Sequence, residues 1–407
     1  MNSPKYLFLS TAGGIDAPAT LSTQKLLKIA GENSGNFMFQ YAADRLLGGE
    51  HVFVGESGIA YTNTGATSGA SHLIVPSANH FRIGADWSGL VAYINGTGLP
   101  SVLLGLGAQA PKIDGVGDEF MQKMLDTPEL QELARCLIET STLITVRGEF
   151  SKDVCAAFGL PKTLPLGCPS LLINPNKTLG QTVQKKIDSA IVKMRDTGAV
   201  KLAFTAASPF EIMHSYKLDI ERVLFDHTKR MNGIYIQQSG GLDTVAFCMR
   251  RFEEVKLSAA LSFRSILDPE SSLESFFDYM KDRARIFWDV DTWMAGVRPF
   301  DICIGTRLHG NMAALAADVP GIVITHDART SELVKTMCLP YLDAKHCVEG
   351  ATFEEMLGHV QFDADAFDEN RVRIAKALRE AFESKGLQPS EHLLHMSADL
   401  AAETKAA

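Results

Sequence analysis

Short apolar runs alternate with amphipathic stretches along the whole chain. The runs at 6–10, 72–75, 102–104, 143–146, 202–205, 234–237, 301–304 and 321–325 are bounded by Gly, Pro or polar residues, which predicts strands. Between them the period changes. Across 129–141, Leu130, Leu133, Ala134, Leu137 and Ile138 recur at helical spacing and predict one buried stripe. Further helices are expected over 37–47 and 311–317. Strands alternating with helices predict an α/β fold around mainly parallel sheets.

The polar stretch 174–180, with Asn174, Pro175, Asn176 and Gly180, interrupts this series, and a new one starts near Val183. The expected organisation is a first Rossmann-like domain over 1–180, a second over 181–355, and a helical tail over 356–407. Within the tail, 364–387 reads as one charged helix. Its Val372, Ile374, Ala375, Leu378 and Ala381 could pack back onto the first domain.

Composition narrows the classes. The 407 residues are 46% hydrophobic and 21% charged, which excludes a disordered chain. No apolar stretch approaches the length of a membrane span. Tyr6-Leu7-Phe8-Leu9 is too brief for a secretory signal and reads as a strand. Seven scattered cysteines without a C-x-x-C pair predict reduced thiols, no zinc site and a cytoplasmic location. A formal charge of −9 argues against nucleic acid as a partner. A small anion could still bind where the few cations converge.

The segment 301–321 concentrates such chemistry. A strand ends near Ile304, Gly305 turns the backbone, and an Ala-rich helix leads through Pro320 to the next strand. Ligands of doubly wound sheets sit outside the carboxyl ends of strands. Arg307 and His309 fall there, beside a helix N-terminus that favours an anion. The next strand leads into His326, Asp327 and Arg329, with Thr330 or Ser331 as the expected helix cap. Two arginines and two histidines would then converge, and the planar guanidinium suits carboxylate and phosphate. Arg147 ends the strand 143–146 in the first domain and would face Arg307 across a cleft. The plainer alternative is an ion pair of Arg147 with Glu149 or Asp153, and His309 alone could be a histidine satisfied at a helix start. The loops 31–36 and 105–109 are glycine-rich but match neither a P-loop nor a dinucleotide fingerprint.

These segments resemble the polysaccharide pyruvyl transferase family. Gly305-Thr306-Arg307-Leu308-His309-Gly310 and the following Ala-rich helix resemble its R-L-H segment. Arg147-Gly148-Glu149-Phe150-Ser151, continuing to Gly167-Cys168-Pro169, is similar to its R-x-x-x-S and G-(C/D)-P pattern. Asn33-Ser34-Gly35-Asn36 is similar to its N-x-G-D loop, and 105–109 also fits. The chain departs from the family at Asn36, where Asp is usual. His326 and Arg329 stand where Tyr and Lys are more frequent. Pro76-Ser77-Ala78-Asn79-His80 replaces a glycine triplet.

The resemblance implies two Rossmann-like halves facing a cleft, as in B-type glycosyltransferases. It implies pyruvyl transfer from phosphoenolpyruvate to a sugar of a polysaccharide or glycan precursor, forming a ketal for the cell envelope or exopolysaccharide. Thr306, Arg307, Arg147, His326 and Arg329 would bind the donor. His309, with Arg307 and Arg147, would serve catalysis. Asn33, Asn36 and Gln109 would meet the carbohydrate acceptor. No cofactor or metal is implied, and a lipid-linked acceptor would bring the protein to a membrane surface. Two alternatives stand: a B-type glycosyltransferase using a nucleotide-sugar, with Glu332 as the ribose-binding carboxylate, or a non-catalytic binding protein of the same fold.

Overall fold

The computed structural model describes residues 3–55, 69–110, 117–160 and 162–399. Among them lie two sheets in which every pairing is parallel. The first contains β1 (Lys5–Phe8), β2 (Glu50–Phe53), β3 (His72–Pro76), β4 (Asn79–Phe81), β5 (Ser101–Ala108), β6 (Ser141–Val146) and β7 (Leu164–Pro165). Its order is 2-1-3-5-6-7, with β4 pairing on β5. The second contains β8 (Leu202–Ala206), β9 (Ile234–Gln237), β10 (Ala284–Arg285), β11 (Ile302–Gly305), β12 (Gly321–Thr325) and β13 (Tyr341–Asp343). Its order, 10-9-8-11-12-13, is that of a dinucleotide-binding Rossmann sheet. The first follows a flavodoxin-like order, so both halves are doubly wound.

The central strands β5, β8 and β11 are buried along their whole length. That explains why they read as largely apolar runs. All eight expected strands are present, within a few residues of their limits. The four strands at the sheet edges, β2, β7, β10 and β13, carry no such run, nor does the off-path β4. An edge strand is covered on fewer sides and needs less apolar sequence.

The helix Pro128–Thr140 buries Leu130, Leu133, Ala134 and Leu137, but Ile138 is 45% exposed. At 100° per residue, Ile138 sits 80° around the helix from Leu130, on the far side of the stripe from buried Cys136. The tail is two helices, Ala364–Ser384 and Glu391–Ser397. Arg371 in the first is fully buried and donates to the carbonyls of Leu171, Asn174 and Asn176. The helix thereby holds the stretch that joins the two sheets. Beyond it, Gln388 N–H donates to the Tyr6 hydroxyl at 2.8 Å, and Ser390 N–H to the Leu46 carbonyl.

Candidate active site

Doubly wound sheets open a crevice where the strand order reverses. In the first sheet that point lies between β1 and β3, and in the second between β8 and β11. Both open onto one cavity of about 520 Å³. Leu9, Pro76, Ala78 and Asn79 line it from the first sheet's reversal, and Glu211, Arg307, Leu308 and His309 from the second's. Among the described residues the lining includes Arg82, Arg147, Arg307 and Arg329 against Glu32 and Glu211. The cleft is therefore locally positive in a chain of net charge −9.

Gly305 is required by close approach. A Cβ there would lie 2.1 Å from the Thr205 carbonyl oxygen of the neighbouring strand. The chain can thus cross tightly from β11 into the helix Leu308–Ala316, which begins three residues earlier than the sequence predicts. Arg307 occupies the N-cap position and His309 the first turn. Gly35 is similarly constrained, because a Cβ would meet Gln238 Oε1 at 2.5 Å and His309 Cβ at 3.1 Å.

Arg147 is 3% exposed. Its guanidinium donates to Asn79 Oδ1 at 2.6 Å and to the carbonyls of Gly105 and Ser77 at 3.1 and 3.4 Å. The alternative ion pairs do not form: Glu149 instead takes Lys152 at 2.7 Å. Across the cavity, Arg307 Nη2 meets Glu211 at 3.0 Å, and its buried Nε has no partner among the described residues. Arg329 stands 3.8 Å from Asp327. Burial and the Arg307 charge pull the Arg329 pKa down, against the pull of Asp327.

His309 Nε2 lies 3.7 Å from Cys168 Sγ, and its ring rests 5.4 Å from that of Phe39. Burial, then Arg147 and Arg329, push its pKa down to about 3. At neutral pH it is therefore a neutral imidazole.

Two expected donor ligands do not face the cavity. Thr306 is 2% exposed, and its hydroxyl donates to the Glu221 carboxylate. Glu221 also accepts from Ala207 N–H at 3.0 Å, so it braces the ends of β8 and β11 from behind. Burial raises its pKa to about 7, against the Thr306 and Ala207 hydrogen bonds. His326 is buried behind the wall, with Nδ1 on the Ile324 carbonyl at 2.9 Å and Nε2 3.4 Å from Asp327. Asp327, rather than Thr330 or Ser331, caps the helix Ala328–Met337, in a reciprocal box with Thr330. Burial would raise the Asp327 carboxyl, but His326 and Arg329 hold it well below the usual carboxylate range. His326 thus orients the aspartate beside Arg329.

Asn33, Asn36 and Gln109 all line the cavity. Asn33 Oδ1 accepts from Gly35 N–H at 2.9 Å, and Asn36 Nδ2 donates to the Ala30 and Gly31 carbonyls. Asn36 thereby closes its own loop, a task a carboxylate could not perform by donation. Gln109 is exposed at the rim. Glu332, the ribose candidate, lies outside the cavity lining. It is 5% exposed and accepts from Ser151 N–H at 2.7 Å and the Ser151 hydroxyl at 3.0 Å. It clasps the two halves together.

Sequence reasoning missed Asn79, Gln238, Glu211 and the neighbouring His80, Arg82 and Trp87. Gln238 follows β9 directly, so the strand-end rule could have found it. Asn79 had no signal beyond its place in the substituted triplet.

The two doubly wound sheets present four arginines and a histidine to one shared cleft, an arrangement suited to an anionic ligand. The family model described as polysaccharide pyruvyl transferase matches residues 21–328, and the chain belongs to that family. No curated protein matches it. Among solved structures, it is similar to the α,α-trehalose 6-phosphate synthase of Burkholderia multivorans. The identity is 10%, the match covers 100% of this chain and 99% of that one, and the TM-score is 0.41. No helix among the described residues is long and apolar enough to cross a membrane.

Proposed function

We propose that the protein transfers the pyruvyl group of phosphoenolpyruvate to two hydroxyls of one sugar in a glycan or glycan precursor, as a ketal. The observation that carries this reading is the convergence of Arg147, Arg307, Arg329 and His309 on one cavity. Phosphoenolpyruvate bears a carboxylate and a phosphate on a small skeleton, so it needs several donors at close quarters. Arg147, immobilised by its three bonds, receives the carboxylate. Arg307 and Arg329 receive the phosphate.

Donor binding changes His309. Negative charge beside it opposes Arg147 and Arg329, and its pKa climbs back toward the ordinary range. The imidazolium gives its proton to the enol methylene, which becomes a methyl group and leaves an oxocarbenium-like carbon. One sugar hydroxyl adds there. The carbon–oxygen bond to phosphate breaks, and phosphate leaves with the electron pair. A second hydroxyl then closes the ring, and the protons of the two hydroxyls go to His309 and the departing phosphate. Asn33, Asn36 and Gln109 form the acceptor wall. The reaction uses a cytoplasmic donor, which supports a cytoplasmic site of action, at a membrane surface if the acceptor is lipid-linked.

The test is incubation with phosphoenolpyruvate and a panel of glycan acceptors, followed by mass spectrometry and phosphate release. A pyruvylated product, and thermal stabilisation by phosphoenolpyruvate, are expected. Stabilisation by a nucleotide-sugar alone, with no phosphate released, would sink the reading.

A further inference from the structure

A second cavity, of about 510 Å³, lies between the halves and shares no lining residue with the catalytic cleft. Pro18 and Ala19 contribute from the loop after β1, and Arg250, Arg251, Arg285 and Trp288 from the second half. Trp288 follows the carboxyl end of β10, the strand paired with β9. Gln238 and Ser239, which follow β9, line the catalytic cavity. Each cavity thus has lining residues just past the carboxyl end of one of two paired strands, ~4.8 Å apart.

The three arginines are not equivalent. Arg251 is structural: it donates to the Leu21 and Pro18 carbonyls and the Thr23 hydroxyl, and it pairs with Glu254 at 3.5 Å. Arg250 and Arg285 have no carboxylate within ion-pair distance among the described residues. Arg285 reaches only the adjacent Ala284 carbonyl, and Arg250 only the Asp282 carbonyl, at 3.5 Å. Burial, then the charges of Arg250 and Arg283, pull the Arg285 pKa down, against the pull of Asp282. Arg250 is held in left-handed backbone, at φ 64, a conformation that side chains rarely adopt. Trp288 is 5% exposed, and its indole N–H is buried without a partner among the described residues. Among the described residues Arg250 and Arg285 thus hold backbone carbonyls and no ion pair, so an anion in the cavity would meet two guanidinium groups free to pair with it.

We propose that this cavity is a second anion site, which takes a phosphate or carboxylate carried by an extended acceptor glycan while the reacting sugar lies in the catalytic cleft. The occupant rests on the transferase reading; the site does not. Arg250 and Arg285 pair with the anion, and Trp288 forms part of the wall beside it.

Inorganic pyrophosphate titrated calorimetrically into the full chain tests the site. Two equivalents are expected to bind. One should survive in Arg307→Ala/Arg329→Ala, which disables the cleft. The other should weaken about tenfold or more in Arg250→Asn/Arg285→Gln. The surviving equivalent should also change tryptophan fluorescence, and Trp288→Phe should abolish that change. Arg250 is exposed, so Arg250→Asn alone is a folded fallback with a smaller loss. A single equivalent that vanishes with Arg307 and Arg329 would overturn the site. To test the occupant, an acidic oligosaccharide acceptor is compared with a neutral one. The Arg250→Asn/Arg285→Gln variant should raise KM for the acidic acceptor alone and leave kcat unchanged. Unchanged KM for both overturns the acceptor assignment while the pyrophosphate result keeps the site. Failure of phosphoenolpyruvate as donor alters neither binding count.

Discussion

Arg147 and Arg307 stand at the carboxyl ends of β6 and β11 and face the same cavity, yet they are held in opposite ways. Arg147 is sunk into the first half, with three hydrogen bonds spent on Asn79, Gly105 and Ser77. Arg307 projects from a helix cap, tied at one nitrogen to a half-exposed glutamate. One wall of the cleft thus offers a fixed charge and the other an adjustable one. A fixed guanidinium costs no ordering entropy when the donor arrives. An adjustable one can follow the phosphate as its bond to carbon breaks. The difference teaches that strand-end position identifies a binding arginine, while the hydrogen-bond partners decide what it contributes.

Removing the fixed charge should have the largest effect. Arg147→Met is expected to lower kcat/KM by ~10³-fold or more, and to destabilise the fold by ~2–5 kcal/mol because Asn79 and two carbonyls lose their donor. Denaturant titration and phosphate-release kinetics would read both. Arg307→Ala should separate the two losses: ~10²-fold in kcat/KM, with stability changed by no more than ~1 kcal/mol. An equal loss of stability in the two variants would erase the contrast between the walls.

The histidine between the walls gives a pH signature. The folded pKa of His309 is about 3, and that of the unfolded chain is near the ordinary value. Below ~6.5 the unfolded chain binds a proton that the native state refuses, so this group lowers stability as pH falls toward 3. His309→Gln should remove that dependence and gain ~2 kcal/mol over the parent at pH 5. Phosphoenolpyruvate binding near pH 6 should take up protons, seen as a calorimetric enthalpy that varies with buffer. Zero uptake would show that the donor does not recharge His309. The smallest effect is expected at Glu211. Glu211→Gln frees Arg307 and should tighten donor binding by ~2–5-fold, as befits an exposed pair.

The fold was legible where burial left a mark. β5, β8 and β11 are covered on both faces and are largely apolar, whereas the edge strands β7 and β10 are two residues each. Within the site, Arg147, Arg307, Arg329 and His309 were found because the strand-end rule needs only local sequence. The rule could not tell Arg307 from its neighbour Thr306, which turns to Glu221. Nor could it tell Arg329 from His326, which turns to Asp327. Facing the cleft or facing away depends on partners far along the chain. The Arg147 cradle spans 68 positions to Asn79, and the Glu332 clasp spans 181 to Ser151.

The bond between Tyr6 and Gln388 joins residues 382 positions apart. Its neighbours reinforce it: Ser390 reaches the Arg45 and Leu46 carbonyls, and the helix Glu391–Ser397 packs on the helix Asn36–Leu46. During synthesis, the surface around Tyr6 and one face of this helix stay uncovered until the tail leaves the ribosome. Domains of multidomain chains generally mature in the order they are made. Here the tail's contacts with the first half can form only after both halves have been made.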